Sequence, residues 1–244
     1  VTAEPTWRTE LDREKAAWSV VVRESQKPGS RGLIGVGAVV AALQRQYADT
    51  PLNFVCDVGK HHKWVTQQFE SREDDYVINS VAAGVMGLGP AGAVGAALAR
   101  PSVPTIAWTG DGGMAMALYT WPTVAEHRLP IKYVVIDDGA YGAVANIELA
   151  QFGRTVFSEF NAGGKNSAYR LDLAAVAAAI GIPSRKVEEP GEIADAVAWA
   201  RSIDGPTVID VHADRKSVAP SGGGKYLHAL WDHRPMPWTR DPAA

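Results

Sequence analysis

The amino-acid sequence predicts a single doubly wound α/β domain, with a mostly parallel central sheet and helices on both faces. Three observations point there. The strand-like segments, such as Ile-Lys-Tyr-Val-Val-Ile at 131–136, are near-continuous apolar runs, which suits strands covered on both faces by crossover helices. Segments with apolar residues at helical spacing alternate with those runs. Two of the runs end in carboxylates beside glycines, Gly110-Asp111-Gly112 and Asp137-Asp138-Gly139, and 25 residues separate Gly112 from Asp138, room for one crossover helix.

Along the chain, residues 7–22 read as a short amphipathic helix, and the breaker Lys27-Pro28-Gly29-Ser30 closes a linker drawn at 1–30. Residues 32–48 have helical spacing, and 52–58 read as a strand ending in Asp57 and Gly59. A helix at 91–99, a strand at 105–109 and a helix at 113–127 follow, the last interrupted by Pro122. The strand at 131–136 leads into a helix at 141–151 and then a loop at 152–167, rich in Gly, Asn and Ser, in the position of a lid. A helix at 171–180, a strand at 185–188, a helix at 190–203 and a strand at 206–211 complete a domain drawn at 31–215. The tail at 216–244 is rich in Gly, Pro and Trp and has no period, and no internal repeat is visible.

Composition narrows the function classes. At 244 residues and 46% hydrophobic, the chain can bury one core of α/β size. A net charge of −3 gives no electrostatic case for nucleic acid or an anionic membrane as partner. The single cysteine, Cys56, excludes an intramolecular disulfide and fits a reducing, cytoplasmic setting. Residues 1–13 are charged and show no signal peptide. Residues 77–99 are uncharged over the length of a membrane span, but Gly84, Gly87, Gly89, Pro90, Gly92 and Gly95 crowd them with breakers. That glycine density reads instead as backbone packed closely against a ligand or a neighbouring helix.

The two strand–carboxylate ends bring Asp111 and Asp138 to one corner of the sheet, and the helix after Gly112 points its free N–H groups at the same place. The corner suits a divalent cation and a diphosphate together, and so a cofactor more than a protein partner. Taken singly, the same residues have plainer readings. An aspartate after a strand is commonly a helix cap, and Met86 alone is core filling. His61 and His62 are adjacent and do not share a helix face, which argues against a two-histidine metal site. Lys60, Lys63 and Arg72 read as surface charges, Tyr141 as packing with its hydroxyl toward the ligand, and Cys56 as an inert core thiol. No G-x-G-x-x-G opens the first helix after a strand in a βαβ unit, which argues against a nicotinamide-binding domain.

Three blocks in order resemble a known family. Gly110-Asp111-Gly112 with Asp138 is similar to the thiamine diphosphate signature, GDG followed after about 25 to 30 residues by Asn. Cys56-Asp57-Val58-Gly59-Lys60-His61-His62-Lys63-Trp64 resembles the DVGQHQMW segment of acetohydroxyacid synthases, and Gly84-Val85-Met86-Gly87-Leu88-Gly89-Pro90 resembles their GAMGFGLP segment. Ala219-Pro220-Ser221-Gly222-Gly223 looks like the close of that family's catalytic domain, and 7–18 like the end of the preceding linker. The resemblance is to the C-terminal, diphosphate-binding third of a thiamine diphosphate-dependent enzyme of the acetohydroxyacid synthase-like superfamily. It implies thiamine diphosphate and Mg²⁺ as cofactors, with Asp111, Asp138 and the Ala140 carbonyl holding the metal. It implies Gly110, Gly112 and Gly113 at the diphosphate, Tyr141 beside the metal loop and the Gly84 carbonyl at the pyrimidine. Met86 would be the fulcrum that bends the cofactor, and His61 would line the substrate entrance.

Three departures qualify what the resemblance implies. Asp138 stands where the family has Asn, and a second carboxylate near a diphosphate adds repulsion of about 4 kcal/mol at an effective dielectric near 20. Ile147 stands where acetohydroxyacid synthases carry the Trp that selects 2-ketobutyrate. The glutamate that protonates the pyrimidine belongs to another domain, absent from these 244 residues. The chain is therefore expected to be either a piece of a longer polypeptide or, the favoured expectation, one subunit of a split enzyme, paired two-and-two with a partner chain carrying the pyrimidine-binding domain. Its expected reaction is decarboxylation of a small 2-oxo acid such as pyruvate, with transfer of the acyl carbanion to an acceptor. The alternatives are a two-subunit 2-oxo acid decarboxylase of sulfopyruvate or phosphonopyruvate type, and a degenerate cofactor-binding regulatory subunit. Flavin dependence belongs to a middle domain that is also absent.

Overall fold

The structure, a computed structural model, describes residues 5–29, 32–80, 83–161, 169–217 and 219–220. Nine helices and six strands alternate among them: α1 (Pro5–Ser25), α2 (Val36–Gln46), β1 (Asn53–Cys56), α3 (His62–Gln68), β2 (Tyr76–Asn79), α4 (Leu88–Ala99), β3 (Thr105–Gly110), α5 (Asp111–Ala117), α6 (Trp121–Glu126), β4 (Ile131–Asp137), α7 (Gly142–Phe152), α8 (Leu173–Ile180), β5 (Ser184–Val187), α9 (Ile193–Ser202) and β6 (Thr207–His212). The strands form one sheet in the order β2-β1-β3-β4-β6-β5, and every pairing is parallel.

Strand alternation divides the interior into two cores, because successive side chains point to opposite faces. Phe54, Cys56, Ile106, Trp108, Val134, Ile136, Ile209 and Val211 face one way and pack with α2, α3 and α9. Val55, Ala107, Tyr133, Val135 and Val208 face the other way and pack with α4, α5, α6 and α8. This is the doubly wound fold expected from the apolar runs. The long helix α1 is mostly exposed and is tied to α3, where Trp18 Nε1 donates to the Gln67 carbonyl at 3.3 Å and Gln68 Nε2 donates to Ser25 Oγ at 2.8 Å.

Two elements differ from expectation, each for a local reason. The helix expected at 113–127 is two helices joined by a 3₁₀ turn, Leu118–Thr120. Pro122 has no N–H to continue α5 but fits the first turn of α6, where such a donor is unused anyway. The strand β2 has no counterpart among the expected strands and overlaps the start of the uncharged stretch 77–99. It is a four-residue edge strand, largely exposed, and so carries no apolar alternation. The spacing Gly87-x-Gly89-x-x-Gly92 does open α4, but eight residues separate α4 from β2, so it is not the tight strand-to-helix turn of a nicotinamide site.

Among the described residues no helix is long and apolar enough to cross a membrane. Ala219 is buried in the core, whereas Ser221, Gly222, Gly223 and the tail beyond lie outside the described residues, as does 162–167 of the loop expected at 152–167.

The contrast between centre and edge of the sheet is measurable. Ile106→Ala, at a fully buried position in β3, should cost about 2–5 kcal/mol. Val77→Ala, on the exposed edge, should cost less than about 1 kcal/mol. Urea unfolding midpoints of the two variants test this, and equal losses would contradict the placement of the strands.

Candidate active site

The chain leaves β1 toward β2 on one side and toward β3 and β4 on the other. At such a reversal the segments after neighbouring strands diverge, and a crevice opens at their carboxyl ends. A cleft of about 200 Å³ lies there. Its walls are the segments after β1, β3 and β4, closed by the residues before α4. His61, Gly84, Met86, Gly110, Asp111, Gly112, Gly113, Asp138, Ala140 and Tyr141 all line this one cleft, with Lys60 and Gly142 among their neighbours.

Asp57 holds the cleft's floor together. It is fully buried. Its Oδ2 accepts from the Gly87 N–H at 2.9 Å and from Thr109 Oγ1 at 3.1 Å, while Oδ1 accepts from the Val58 N–H at 2.9 Å. One carboxylate thereby joins the end of β1, the end of β3 and the turn into α4. That turn has Gly87 at φ +84°, a left-handed conformation suited to glycine, and it presents the half-buried Met86 to the cleft.

The acids come from two adjacent strand ends. Asp111 Oδ2 accepts from the Gly139 N–H at 2.8 Å, and Oδ1 accepts from its neighbour Gly112 N–H at 2.9 Å. Gly139, at φ +68°, also donates to Asp137 Oδ1 at 2.9 Å, so a single N–H serves both strand ends. Burial first, and then the charges of Asp137 and Asp138, push the Asp111 carboxyl up to about 8. Asp137 and Asp138 part company here. Asp138 lines the cleft and pairs with Lys60, Nζ to Oδ2 at 2.7 Å. Asp137 does not line it, and pairs with Arg170 at 2.9 Å, with His212 Nε2 at 3.7 Å. Asp210, close by, has its carboxyl pushed up to about 7 by burial and by Asp137.

The remaining walls are set by packing. His61 is buried, with its ring near Trp108, whose Nε1 donates to the His61 carbonyl at 3.2 Å. Burial, with the neighbouring His62 and Lys60, drives its imidazole down to about 3, so it is neutral, and Nε2 has no hydrogen-bond partner among the described residues. The chain after α7 lies back along the loop that follows β4. The Tyr141 N–H donates to the Ser158 carbonyl at 2.8 Å, Ala140 bridges Glu159, and the Tyr141 ring stands edge-on to Phe160 at 4.9 Å.

The residues present fit a divalent cation with a diphosphate. Two carboxylates from different strands face one cleft, and the high Asp111 carboxyl reports charge that a cation would relieve. Glycines keep the wall open. A Cβ on Gly112 would stand 2.7 Å from the Tyr141 ring, and one on Gly142 would stand 2.6 Å from Asp138 Oδ2.

Sequence reasoning misplaced Lys60, which is not a surface charge but a buried cation inside the cleft. Its position within the Asp57–Trp64 block was the available signal. Arg72 is a surface residue as expected, half-exposed and paired with Asp75 at 3.2 Å. Cys56 is fully buried, and burial with the Asp57 charge pushes its thiol up, as expected for an inert group. Arg170 and Arg215 were not singled out. Arg215 donates to the carbonyls of Asp138 and Gly139 at 2.8 and 2.7 Å.

Residues 57–211 match the family described as "Thiamine pyrophosphate enzyme, C-terminal TPP binding domain". The chain is similar to the mitochondrial acetolactate synthase catalytic subunit of Aspergillus candidus, 28% identical over 224 residues, 89% of this chain and 31% of that protein. It is similar to the acetolactate synthase of Bacillus subtilis (strain 168), 28% identical over 70% of this chain and 28% of that protein. It is also similar to a probable acetolactate synthase large subunit of Methanococcus aeolicus, 31% identical over 66% of this chain and 26% of that protein. The chain thus spans about a third or less of the curated relatives it matches. Among solved structures it resembles the Rhodococcus jostii RHA1 thiamine diphosphate-dependent 4-hydroxybenzoylformate decarboxylase, with a TM-score of 0.67 and 20% identity over 77% of this chain and 34% of that one. At that identity the likeness shows the fold.

Asp57→Ala removes a buried carboxylate that accepts from Gly87, Thr109 and Val58. It should cost about 2–4 kcal/mol in denaturant unfolding. A loss below about 1 kcal/mol would mean that the Gly87 turn is held by something else.

Proposed function

The chain belongs to the thiamine pyrophosphate enzyme family, as its C-terminal TPP-binding domain, and from that premise we propose that it is the diphosphate-binding half of an acetolactate synthase-like enzyme. In this reading the enzyme decarboxylates a small 2-oxo acid such as pyruvate and passes the acyl unit to an acceptor. The observation that carries it is the meeting of Asp111 and Asp138, from adjacent strands, in one glycine-walled cleft at the switch point of the sheet.

The cofactor-binding unit is 31–215. Asp111, Asp138 and the Ala140 carbonyl would hold Mg²⁺. Backbone at Gly110, Gly112 and Gly113 would face the diphosphate, and the Gly84 carbonyl the pyrimidine. Thiamine diphosphate, when bound, supplies the carbon nucleophile and electron sink that a 2-oxo acid needs to lose CO₂. The chain's own residues position and shield. Met86, held by the turn that Asp57 anchors, would support the ligand from the cleft wall. Tyr141, packed on Phe160, walls the metal side. His61, kept neutral by burial, offers an uncharged Nε2 at the entrance to accept a proton or a hydrogen bond.

The glutamate that completes this chemistry in the resemblance is not within the chain. A partner chain with the pyrimidine-binding domain would supply it, in an assembly of two copies of each. The single cysteine suits a cytoplasmic, reducing setting for that assembly. A second reading, a 2-oxo acid decarboxylase of two subunits, is favoured by Ile147, because a smaller residue replaces the family's Trp on α7 beside the acceptor side. Product analysis of the reconstituted pair decides. A condensed product with a second keto acid or aldehyde marks a ligase, and release of a free aldehyde alone marks a decarboxylase. No turnover of any 2-oxo acid, with partner present and cofactor bound, leaves a regulatory subunit.

Asp111→Ala should abolish Mg²⁺-dependent thiamine diphosphate binding in a calorimetric titration, while Asp138→Asn should keep or improve it. Retained metal-dependent binding by Asp111→Ala would falsify the metal assignment. The pH dependence has a defined sign. With its carboxyl near 8, Asp111 is protonated at neutral pH and must lose that proton to bind a metal. Apparent metal affinity should therefore climb with pH, by up to about tenfold per unit, and level off above about 8. Calorimetry in buffers of different ionisation enthalpy should show proton release at pH 7 and little at pH 9. Equal proton release at both would contradict this.

A further inference from the structure

Among the described residues lining the cleft, Lys60 is the one lysine or arginine. It is seated deep, its side chain and that of Asp138 each 7% exposed, with Nζ 2.7 Å from Asp138 Oδ2. A second bond, from Nζ to the Arg215 carbonyl at 2.7 Å, fixes the ammonium from the far side. Arg215 in turn grips the carbonyls of Asp138 and Gly139 and pairs with Glu159 at 3.0 Å. Lysine, metal loop and Arg215 therefore form one closed network around Asp138.

Two physical facts follow from this placement. A lysine and an aspartate this deeply buried are tolerable only as a pair, because each alone leaves an uncompensated charge away from water. And an ammonium and a divalent cation drawn to the same carboxylate repel across a few ångströms, so each weakens the other's hold on it. The sequence adds a third. In the segments this chain resembles, Gln stands opposite Lys60 and Asn opposite Asp138. The two departures are the two ends of one ion pair, and together they leave the net charge of the cleft unchanged.

Resting on the reading of Asp138 as a metal ligand, we propose that Lys60 is a tethered counter-ion that occupies Asp138 until a divalent cation displaces it. Metal entry is then an exchange of an internal cation for an external one. The ammonium released from Asp138 remains in the cleft, facing the anionic group that arrives with the metal. Lys60 is in this sense a positioning residue. It holds Asp138 in place in the empty site and raises the metal concentration needed to fill it.

The test is Mn²⁺ alone, without cofactor, titrated into the full chain and read by the electron paramagnetic resonance signal of the free ion. Wild type, Lys60→Gln, Lys60→Arg, Asp138→Asn and the double variant Lys60→Gln/Asp138→Asn are compared. Removing the competing ammonium should tighten Mn²⁺ binding by about tenfold in Lys60→Gln. Lys60→Arg, which keeps the cation, should bind no tighter than wild type. In the Asp138→Asn background, Lys60→Gln should change affinity by less than about twofold, because the competition has lost its seat. Thermal melts give a second readout. Lys60→Gln should lower the melting temperature of the metal-free chain, and saturating Mn²⁺ should restore it.

Unchanged or weaker Mn²⁺ binding by Lys60→Gln overturns the exchange, as does an equal effect with Asp138→Asn in place. If Lys60→Gln folds only in Mn²⁺, the proposal is supported in its strongest form, and failure to fold even at saturating Mn²⁺ overturns it. Asp111→Ala separates this inference from the functional reading. Wild-type Mn²⁺ affinity in Asp111→Ala removes the metal site itself, whereas loss there with no effect of Lys60→Gln removes only the exchange.

Discussion

Asp111, Asp137 and Asp138 are packed at the carboxyl ends of two adjacent parallel strands, and their mutual repulsion is the constraint that the surrounding residues answer. Each acid is handled differently. Asp137 turns away from the cleft to Arg170. Asp138 turns into it and meets Lys60. Asp111 has no ion pair among the described residues and is held by the Gly139 and Gly112 N–H groups, and burial, then the charges of Asp137 and Asp138, push its carboxyl up to about 8. The carboxyl oxygens of Asp111 and Asp138 are thus gathered at one open place, where an external cation has the most to offer.

That arrangement depends on the sheet. Because β3 and β4 are adjacent and parallel, with Gly110 in register with Ile136, their ends reach the same edge and both acids emerge side by side. Because β1 is the strand where the winding reverses, the space beside them is open rather than filled by a crossover helix. Asp57 converts that opening into a shaped site. By accepting from Gly87 and Thr109 it locks the turn carrying Met86 against the strand carrying Asp111, so the floor and the acid move as one piece. The path from sequence to chemistry therefore runs through a buried carboxylate that faces no ligand.

Much of this was legible in the sequence where residues act alone or in period. The apolar runs at 131–136 and 206–211 announced β4 and β6, and the spacing from Gly110-Asp111-Gly112 to Asp138 announced that the two acids would share a corner. What was not legible depended on three-dimensional partners. The edge strand β2 is short and exposed and carries no alternation to read. A lysine among histidines and next to a glycine looks like surface until Asp138, distant in sequence, is placed at 2.7 Å. Two consecutive aspartates look equivalent, and only the strand's alternation sends one to the cleft and the other to Arg170.

The most direct measurement is a structure of the chain bound to Mg²⁺ and thiamine diphosphate. The account predicts the metal between Asp111 and Asp138 with the Ala140 carbonyl, the diphosphate against Gly112 and Gly113, and Met86 beneath the ligand. A diphosphate bound elsewhere on the sheet, or a metal held by Asp137, Asp210 and His212 instead, would contradict it.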